Sequence, residues 1–231
     1  MITSNTPPLG PAIDPAPAAL PGPVTLAGRY GRVEKLARDH AAALWDALQG
    51  HDALWTYMPS SGPFADPAAF ADWVAGRAAQ QDPYFYAIID AAGRTRGAMA
   101  LLNIRPDHRV IEVGHVIYAP ALQRTPLASE AQYLLARYVF ETLGYRRYEW
   151  KCDALNAASR KAAQRYGFTF EGIFRQHMIA KGHNRDTAWY AMLDREWPAR
   201  KAAFERWLAP DNFSPDGRQK VSLSALNGGT E

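Results

Sequence analysis

Residues whose types and spacing could do chemistry fall in three places between positions 110 and 170. The first is the junction Tyr118-Ala119-Pro120-Ala121-Leu122-Gln123-Arg124-Thr125-Pro126-Leu127-Ala128-Ser129-Glu130. Thr125 suits a helix N-cap, and Pro126 suits the first helical position, where a missing N–H is no loss. Backbone N–H groups from Gln123 through Ala128, Pro126 excepted, are then expected to converge at a positive helix end. With Arg124 beside them they would make an anion site suited to a pyrophosphate. The alternative is a helix start that binds nothing. The second place is Asn156-Ala157-Ala158-Ser159. Asn156 can cap its own helix, and Ser159 would sit in the first turn, one turn ahead of Ala163. Its hydroxyl could donate a proton or merely assist the cap. The third is Glu112, inside Val110-Ile111-Glu112-Val113-Gly114-His115-Val116-Ile117-Tyr118. A carboxylate in an apolar strand must face water, pair, or carry a raised pKa. It could act as a general base through water, or stand on a solvated or salt-bridged sheet face. Gly114 suggests a bulge or a close backbone approach by a ligand. Alternation points His115 away from Glu112 unless a bulge resets the register, and His115 reads as structural.

The elements that must hold these groups are legible from periodicity and punctuation. Val24–Leu36 reads as an opening strand or hairpin around Gly28 and Gly31. Helices are expected over Asp39–Leu48 and from Asp66 to about Gln80, with Asp66 as N-cap and Pro67 at the first position. Tyr84–Asp90, Thr95–Ile104 and Val110–Tyr118 read as a strand meander. Leu127, Ala131, Leu134, Leu135, Tyr138 and Val139 lie on one helix face, ended by Gly144. Arg147–Cys152 alternates as a strand, and Ala157–Tyr166 is a short helix ended by Gly167. Phe168–Phe174 and Thr187–Leu193 read as strands joined by the polar turn Lys181-Gly182-His183-Asn184, and Trp197–Leu208 as a last helix. The sum is one mixed α/β domain over residues 24–210, with a largely antiparallel sheet and a strand–helix–strand unit at 110–152. Residues 1–23, rich in Pro and Ala, read as a disordered arm, because dense prolines block helices and ladders. Residues 211–231 read as a polar tail that frays.

Composition narrows the classes. The chain has 231 residues, 48% hydrophobic, which is globular and not disordered or fibrous. A net charge of +3 suits a local anion site better than a broad nucleic-acid face. One cysteine, Cys152, excludes an internal disulfide and fits a reducing compartment. It reads as a small buried strand residue. No apolar run of about 18 residues suggests a membrane span, and no secretory leader is visible. Walker A, H-E-x-x-H, C-x-x-C and G-x-S-x-G sequences do not occur, and the six histidines show no metal-ligand spacing.

Taken together, Glu112-Val113-Gly114, Gln123–Ala128, Asn156-x-x-Ser159 and Tyr166-Gly167-Phe168 resemble the GNAT N-acetyltransferases, nearest the RimJ/RimL-type subgroup. Leu26-x-Gly28-Arg29-x-x-Arg32-Val33, Glu171-Gly172-x-x-Arg175-Gln176 and Asn184-Arg185-Asp186 extend the likeness over roughly residues 24–197. The resemblance implies a GNAT-like sheet with two splayed parallel central strands, Val110–Tyr118 and Arg147–Cys152, flanked by helices. It implies acetyl-CoA as cosubstrate, held by Val116, Ile117, Gln123, Arg124, Thr125, Leu127, Ala128 and Asn156, with no metal. Pro126 replaces the family's central loop glycine. The family's general-acid tyrosine slot falls on Ala163, and the RimL-like serine falls on Ser159.

The implied reaction is direct attack of a primary amine on the acetyl carbonyl. Glu112 would be the base through water, backbone N–H near Val116 would polarise the carbonyl, and Ser159 would protonate the thiolate. The acceptor would be a peptide N-terminus, an amino acid or a small amine. Trp55 and Tyr57, in the segment that usually shapes the acceptor pocket, could form an aromatic wall or pack into the core. Glu171, Arg175 and Asp186 could line the far side or form a surface cluster. Alternatives are acetylation of a polyamine or antibiotic, and a non-catalytic acetyl-CoA sensor. The expected setting is cytoplasmic, as monomer or homodimer, with no nucleic-acid or membrane partner.

Overall fold

A computed structural model describes residues 7–228. Eight strands form one sheet in the order β1-β2-β3-β4-β5-β6-β8-β7. The hairpin β1 (Thr25–Ala27) and β2 (Gly31–Lys35) leads to α1 (Ala41–Leu48) and α2 (Pro67–Ala79). The meander β3 (Tyr84–Asp90), β4 (Thr95–Arg105) and β5 (Val110–Tyr118) follows, then α3 (Pro126–Arg137), β6 (Arg147–Asp153) and α4 (Ala157–Arg165). The long hairpin β7 (Thr169–Ala180) and β8 (His183–Leu193), α5 (Trp197–Leu208) and the single turn α6 (Leu223–Leu226) complete it. Every strand pairing is antiparallel except β5 with β6.

Local chemistry sets the helix starts. Asp66 Oδ1 accepts N–H bonds from Ala68 and Ala69, both at 2.9 Å, ahead of Pro67. Asn156 Oδ1 accepts from Ser159 N–H at 3.0 Å. The sheet is buried on both faces, which is why β3 is apolar at nearly every position. One face carries α1 and α2, packed on Phe85, Ala87, Ile89, Ala98, Ala100 and Ile117. The other carries α3, α4 and α5, packed on Tyr86, Ile88, Met99, Leu101, Ile111 and Val113.

Three features depart from the sequence expectations. β7 runs past Phe174, because an exposed edge strand needs no apolar alternation, and β8 begins before Thr187, where it pairs with that extension of β7. From residue 211 to 228 the tail does not fray. Leu223 is 0% exposed, and Asn212 Nδ2 donates to Trp207 O and Val221 O at 3.0 and 3.1 Å. Part of the proline-rich arm is likewise fastened: Ala18 N–H and Ala19 N–H donate to Pro106 O and Leu143 O. Residues 1–6 and 229–231 lie outside the described residues. No helix among those described is long and apolar enough to cross a membrane.

Candidate active site

The parallel strands β5 and β6 are paired only from Val110 with Arg147 to Val113 with Trp150. Beyond that they part. A bulge on β5 completes the separation: His115 and Val116 together stand opposite the single residue Met99. His115 takes φ +48°, a left-handed backbone that few non-glycine residues adopt. The parting opens a cleft of about 1900 Å³. The bulge also resets alternation. His115 turns toward the α1/α2 face, its ring 5.3 Å from Phe85, and lines the cleft on the same face as Glu112. Burial, with the charges of Arg77 and Arg185, holds its pKa down to about 4.

Glu112 stands in the cleft wall, 5% exposed. Its Oε2 accepts from Lys151 Nζ at 2.8 Å and from Asn103 Nδ2 at 2.6 Å. Among the described residues Oε1 takes no donor. It is not sealed off, and a Cβ added at Gly114 would come within 3.5 Å of it. Burial pushes the Glu112 carboxyl above its usual range, and the Lys151 ammonium opposes that rise. Lys151 also meets Glu149 Oε2 at 2.9 Å and lies 3.9 Å from the Trp189 ring centre.

Ser159 faces Glu112's strand from the opposite wall. Its Oγ accepts from Trp150 Nε1 at 3.0 Å, which fixes the oxygen and leaves its proton available. Cys152 lies beside it, buried in β6. Burial raises the thiol pKa, and the Ser159 hydroxyl pulls it back. Ala163 is fully buried, and Tyr166 lines the cleft one turn below.

The helix start at α3 is built as expected: Thr125 Oγ1 accepts from Ala128 N–H at 3.3 Å. The set of open amides is smaller than expected. Gln123 and Thr125 N–H already donate to Ala119 O and Leu122 O at 3.2 and 3.3 Å, because the loop turns tightly at Arg124, φ +61°. Among the described residues, the N–H groups of Arg124 and Leu127 have no acceptor. The Leu127 side chain belongs to the core, against Gly31. Val116, Ile117, Gln123, Arg124, Thr125, Ala128 and Asn156 all line the cleft.

Arg165 was not singled out by any sequence motif, yet it stands here. Its Nη1 donates to Ser129 Oγ at 2.9 Å, and its guanidinium lies 4.7 Å from the Trp207 ring centre. It is half-buried and, among the described residues, has no acid within 4.0 Å. A half-buried guanidinium without an acid partner, beside a helix N-terminus, suits a phosphate group. The folded tail contributes Gln219 to the same end, held by Trp207 Nε1 at 2.8 Å.

On the acceptor side the two aromatic expectations separate. Trp55 is 3% exposed and sits edge-on among Phe64, Phe70 and Trp73, so it is a core residue and not a cleft wall. Tyr57 lines the cleft and donates its hydroxyl to Leu155 O at 3.3 Å, across to the loop before α4. Glu171 pairs with Arg147, and Asp186 Oδ1 accepts from Gln176 N–H, both outside the cleft lining.

The family model described as "Acetyltransferase (GNAT) domain" matches residues 32–169. A solved GCN5-related N-acetyltransferase from Brucella melitensis is 45% identical, superposes with a TM-score of 0.89, and covers 92% of this chain and 98% of its own. YdaF of Bacillus subtilis (strain 168), provisionally named a ribosomal N-acetyltransferase, is 30% identical over 109 residues, 47% of this chain. The chain spans 59% of the length of that curated relative. RimL, a ribosomal L7/L12 alpha-N-protein acetyltransferase, shares the fold at a TM-score of 0.63 and 20% identity, over 76% of this chain and 99% of its own.

Proposed function

Because the chain belongs to the GNAT acetyltransferase family, we propose that it transfers an acetyl group from acetyl-CoA to a primary amine. The acceptor is a peptide N-terminus, an amino acid or a small amine. The single observation that carries this reading is the parting of β5 and β6 after Val113 and Trp150, with Glu112 on one wall and Ser159 on the other.

The residues present fit the cosubstrate. Arg165 and the unpaired amides of Arg124 and Leu127 would hold its pyrophosphate, and Asn156 would meet its pantetheine arm. Bound acetyl-CoA supplies an acyl group already activated as a thioester. Glu112 Oε1, open to the cleft, takes the proton of the acceptor ammonium through a water molecule. The backbone N–H of Val116, in the bulge, polarises the acyl oxygen. As the C–N bond forms and the C–S bond breaks, Ser159, its oxygen fixed by Trp150, would pass its proton to the departing sulfur and be restored by the proton that the attacking nitrogen loses. The names carried by YdaF and RimL favour a protein N-terminus among the acceptors.

Titration calorimetry with acetyl-CoA, followed by thiol release on an amine panel, tests the reading. Micromolar binding and amine-dependent thiol release are expected. Binding without release on any amine would leave a cosubstrate sensor. No binding at millimolar acetyl-CoA would remove the cleft as its site.

A further inference from the structure

The acceptor side of the cleft holds a buried cation that no acid among the described residues neutralises. Arg185, on β8, is 9% exposed. Its Nε donates to Thr187 Oγ1 at 3.3 Å, an oxygen that also meets His177 Nδ1 at 3.0 Å. Among the described residues no carboxylate oxygen lies within 4.0 Å of the guanidinium, and Nη1 and Nη2 donate to nothing. Neither nitrogen is sealed off, and the side chain lines the cleft. Among the described residues, the nearby carboxylates do not reach the guanidinium. Asp153 Oδ1 accepts from Leu155 N–H at 2.9 Å, and Asp186 Oδ1 accepts from Gln176 N–H at 2.7 Å. Glu112 and Glu149 share Lys151. Buried charges in folded proteins are paired, so an open one facing a cleft calls for an anion from outside.

Its position says which molecule supplies that anion. Ala188 and Tyr190 belong to the core under α3–α5, so alternation puts Arg185, Thr187 and Trp189 on the α1/α2 face. Arg165 and the α3 N-terminus serve the other face, so the pyrophosphate is not the match. Arg185 lines the cleft together with Cys152 of β6 and His115 of β5. His115 stays uncharged near pH 7 and adds no rival cation there. Lys181 Nζ, at the β7–β8 turn, donates to Trp55 O and Gly62 O at 2.7 and 3.0 Å, and so ties the hairpin to the loop that carries Tyr57.

We propose that Arg185 binds a carboxylate of the acceptor, so that the preferred amine is one that carries a carboxylate. A guanidinium offers two parallel N–H groups that match a carboxylate edge to edge. The α-carboxylate of a free amino acid and an acidic side chain near a peptide N-terminus present the same group. This inference rests on the acetyltransferase reading above.

Thiol release is measured on matched pairs: amino acids against their carboxamides, and tripeptides with Asp or Glu against Asn or Gln in the first two positions. The carboxylate member is expected to show a KM at least tenfold lower. The amino-acid arm and the peptide arm separate the two sources. Arg185→Gln should bring the KM ratio to about one, and Arg185→Lys, which keeps the charge without the fork, should keep part of it. Equal KM values in the wild-type protein, or a ratio that persists in Arg185→Gln, overturn the proposal. A readout without turnover separates the two readings. Calorimetry in the presence of CoA should show N-acetyl-glutamate binding to the wild-type protein at least tenfold more tightly than N-acetyl-glutaminamide. That preference with no thiol release on any amine would sink the transferase reading and keep the carboxylate site. Thiol release without it would do the reverse.

Discussion

Glu112 and Lys151 allow the proposed base to be tested without touching it. Lys151→Met keeps an unbranched stem beside Trp189 and removes the ammonium 2.8 Å from Oε2. At that distance Coulomb's relation gives ~6 kcal/mol for an effective dielectric of about 20, before desolvation of the pair. Desolvation offsets much of this, and an opposite charge at such range typically holds a carboxyl down by about 1–3 pKa units. Glu112 is already raised by burial, and Lys151 is the largest opposing influence. Without it only the Asn103 hydrogen bond opposes the rise. A base must be ionised to work, so the ascending limb of kcat/KM against pH should move to higher pH by about 1–3 units. Below that limb the rate should fall by about tenfold for each unit. Glu149 retains Arg147 at 2.7 Å, so it does not become a second unpaired carboxylate.

Stability should move with the same sign. The folded-state pKa of Glu112 lies above its unfolded value, so the folded protein binds more protons between the two. Stability therefore falls as pH rises through that window. Lys151→Met widens the window upward. Its deficit, about 3–5 kcal/mol near neutral pH for a broken buried pair, should shrink as pH falls and Glu112 protonates. Thiol release from pH 5.5 to 9 and melting curves over the same range read both effects. A folded Lys151→Met protein with its limb at the wild-type pH would refute the argument. A limb that survives in Glu112→Gln would assign it to another group.

Ser159→Ala should lower kcat by about 10²-fold or more and leave the calorimetric affinity for acetyl-CoA unchanged; unchanged turnover removes Ser159 from the reaction. Arg165→Met removes a charged donor to the phosphate end and should raise the acetyl-CoA Kd by about 10–100-fold, with kcat at saturation little changed. An unchanged Kd would return Arg165 to packing on Trp207. Glu130 Oε1 and Oε2 accept from Arg29 N–H and Tyr30 N–H at 2.6 and 2.8 Å, which ties α3 to the opening hairpin. Glu130→Ala should cost about 2–4 kcal/mol in chemical denaturation, and a loss under 1 kcal/mol would show those amides finding water.

What could be read before folding was local. Asp66-Pro67, Thr125-Pro126 and Asn156 declare helix starts through bonds that span two or three residues, and each forms. Strands β3 and β5 begin and end where alternation and turn residues put them. What depends on a distant partner was not legible. Trp55 has the same sequence surroundings whether it walls a pocket or fills a core, and only Phe64, Phe70 and Trp73 decide it. The side to which His115 turns depends on a bulge measured against Met99 of another strand. The tail is polar in composition, yet Asn212 satisfies its own amide at both ends and lets Leu223 enter the core.

Arg165 and Arg185 carry this argument furthest, because what marks them is a missing partner. Lys151, Arg147 and Arg206 also stand near acids in space, and their charges are used up within the chain. A sequence with 26 basic and 23 acidic residues gives no hint of which bases lack an acid. Folding resolves it: among the described residues, Arg165 and Arg185 line one cleft from opposite faces of the sheet with no acid within 4.0 Å. Leaving a charge so placed destabilises the empty protein, and a well-packed apolar residue would serve folding better. The arrangement is intelligible if each charge is matched only when a ligand is bound. A carboxylate at Arg185 and a phosphate at Arg165 would then approach from opposite sides, and Glu112 and Ser159 stand on the walls between them.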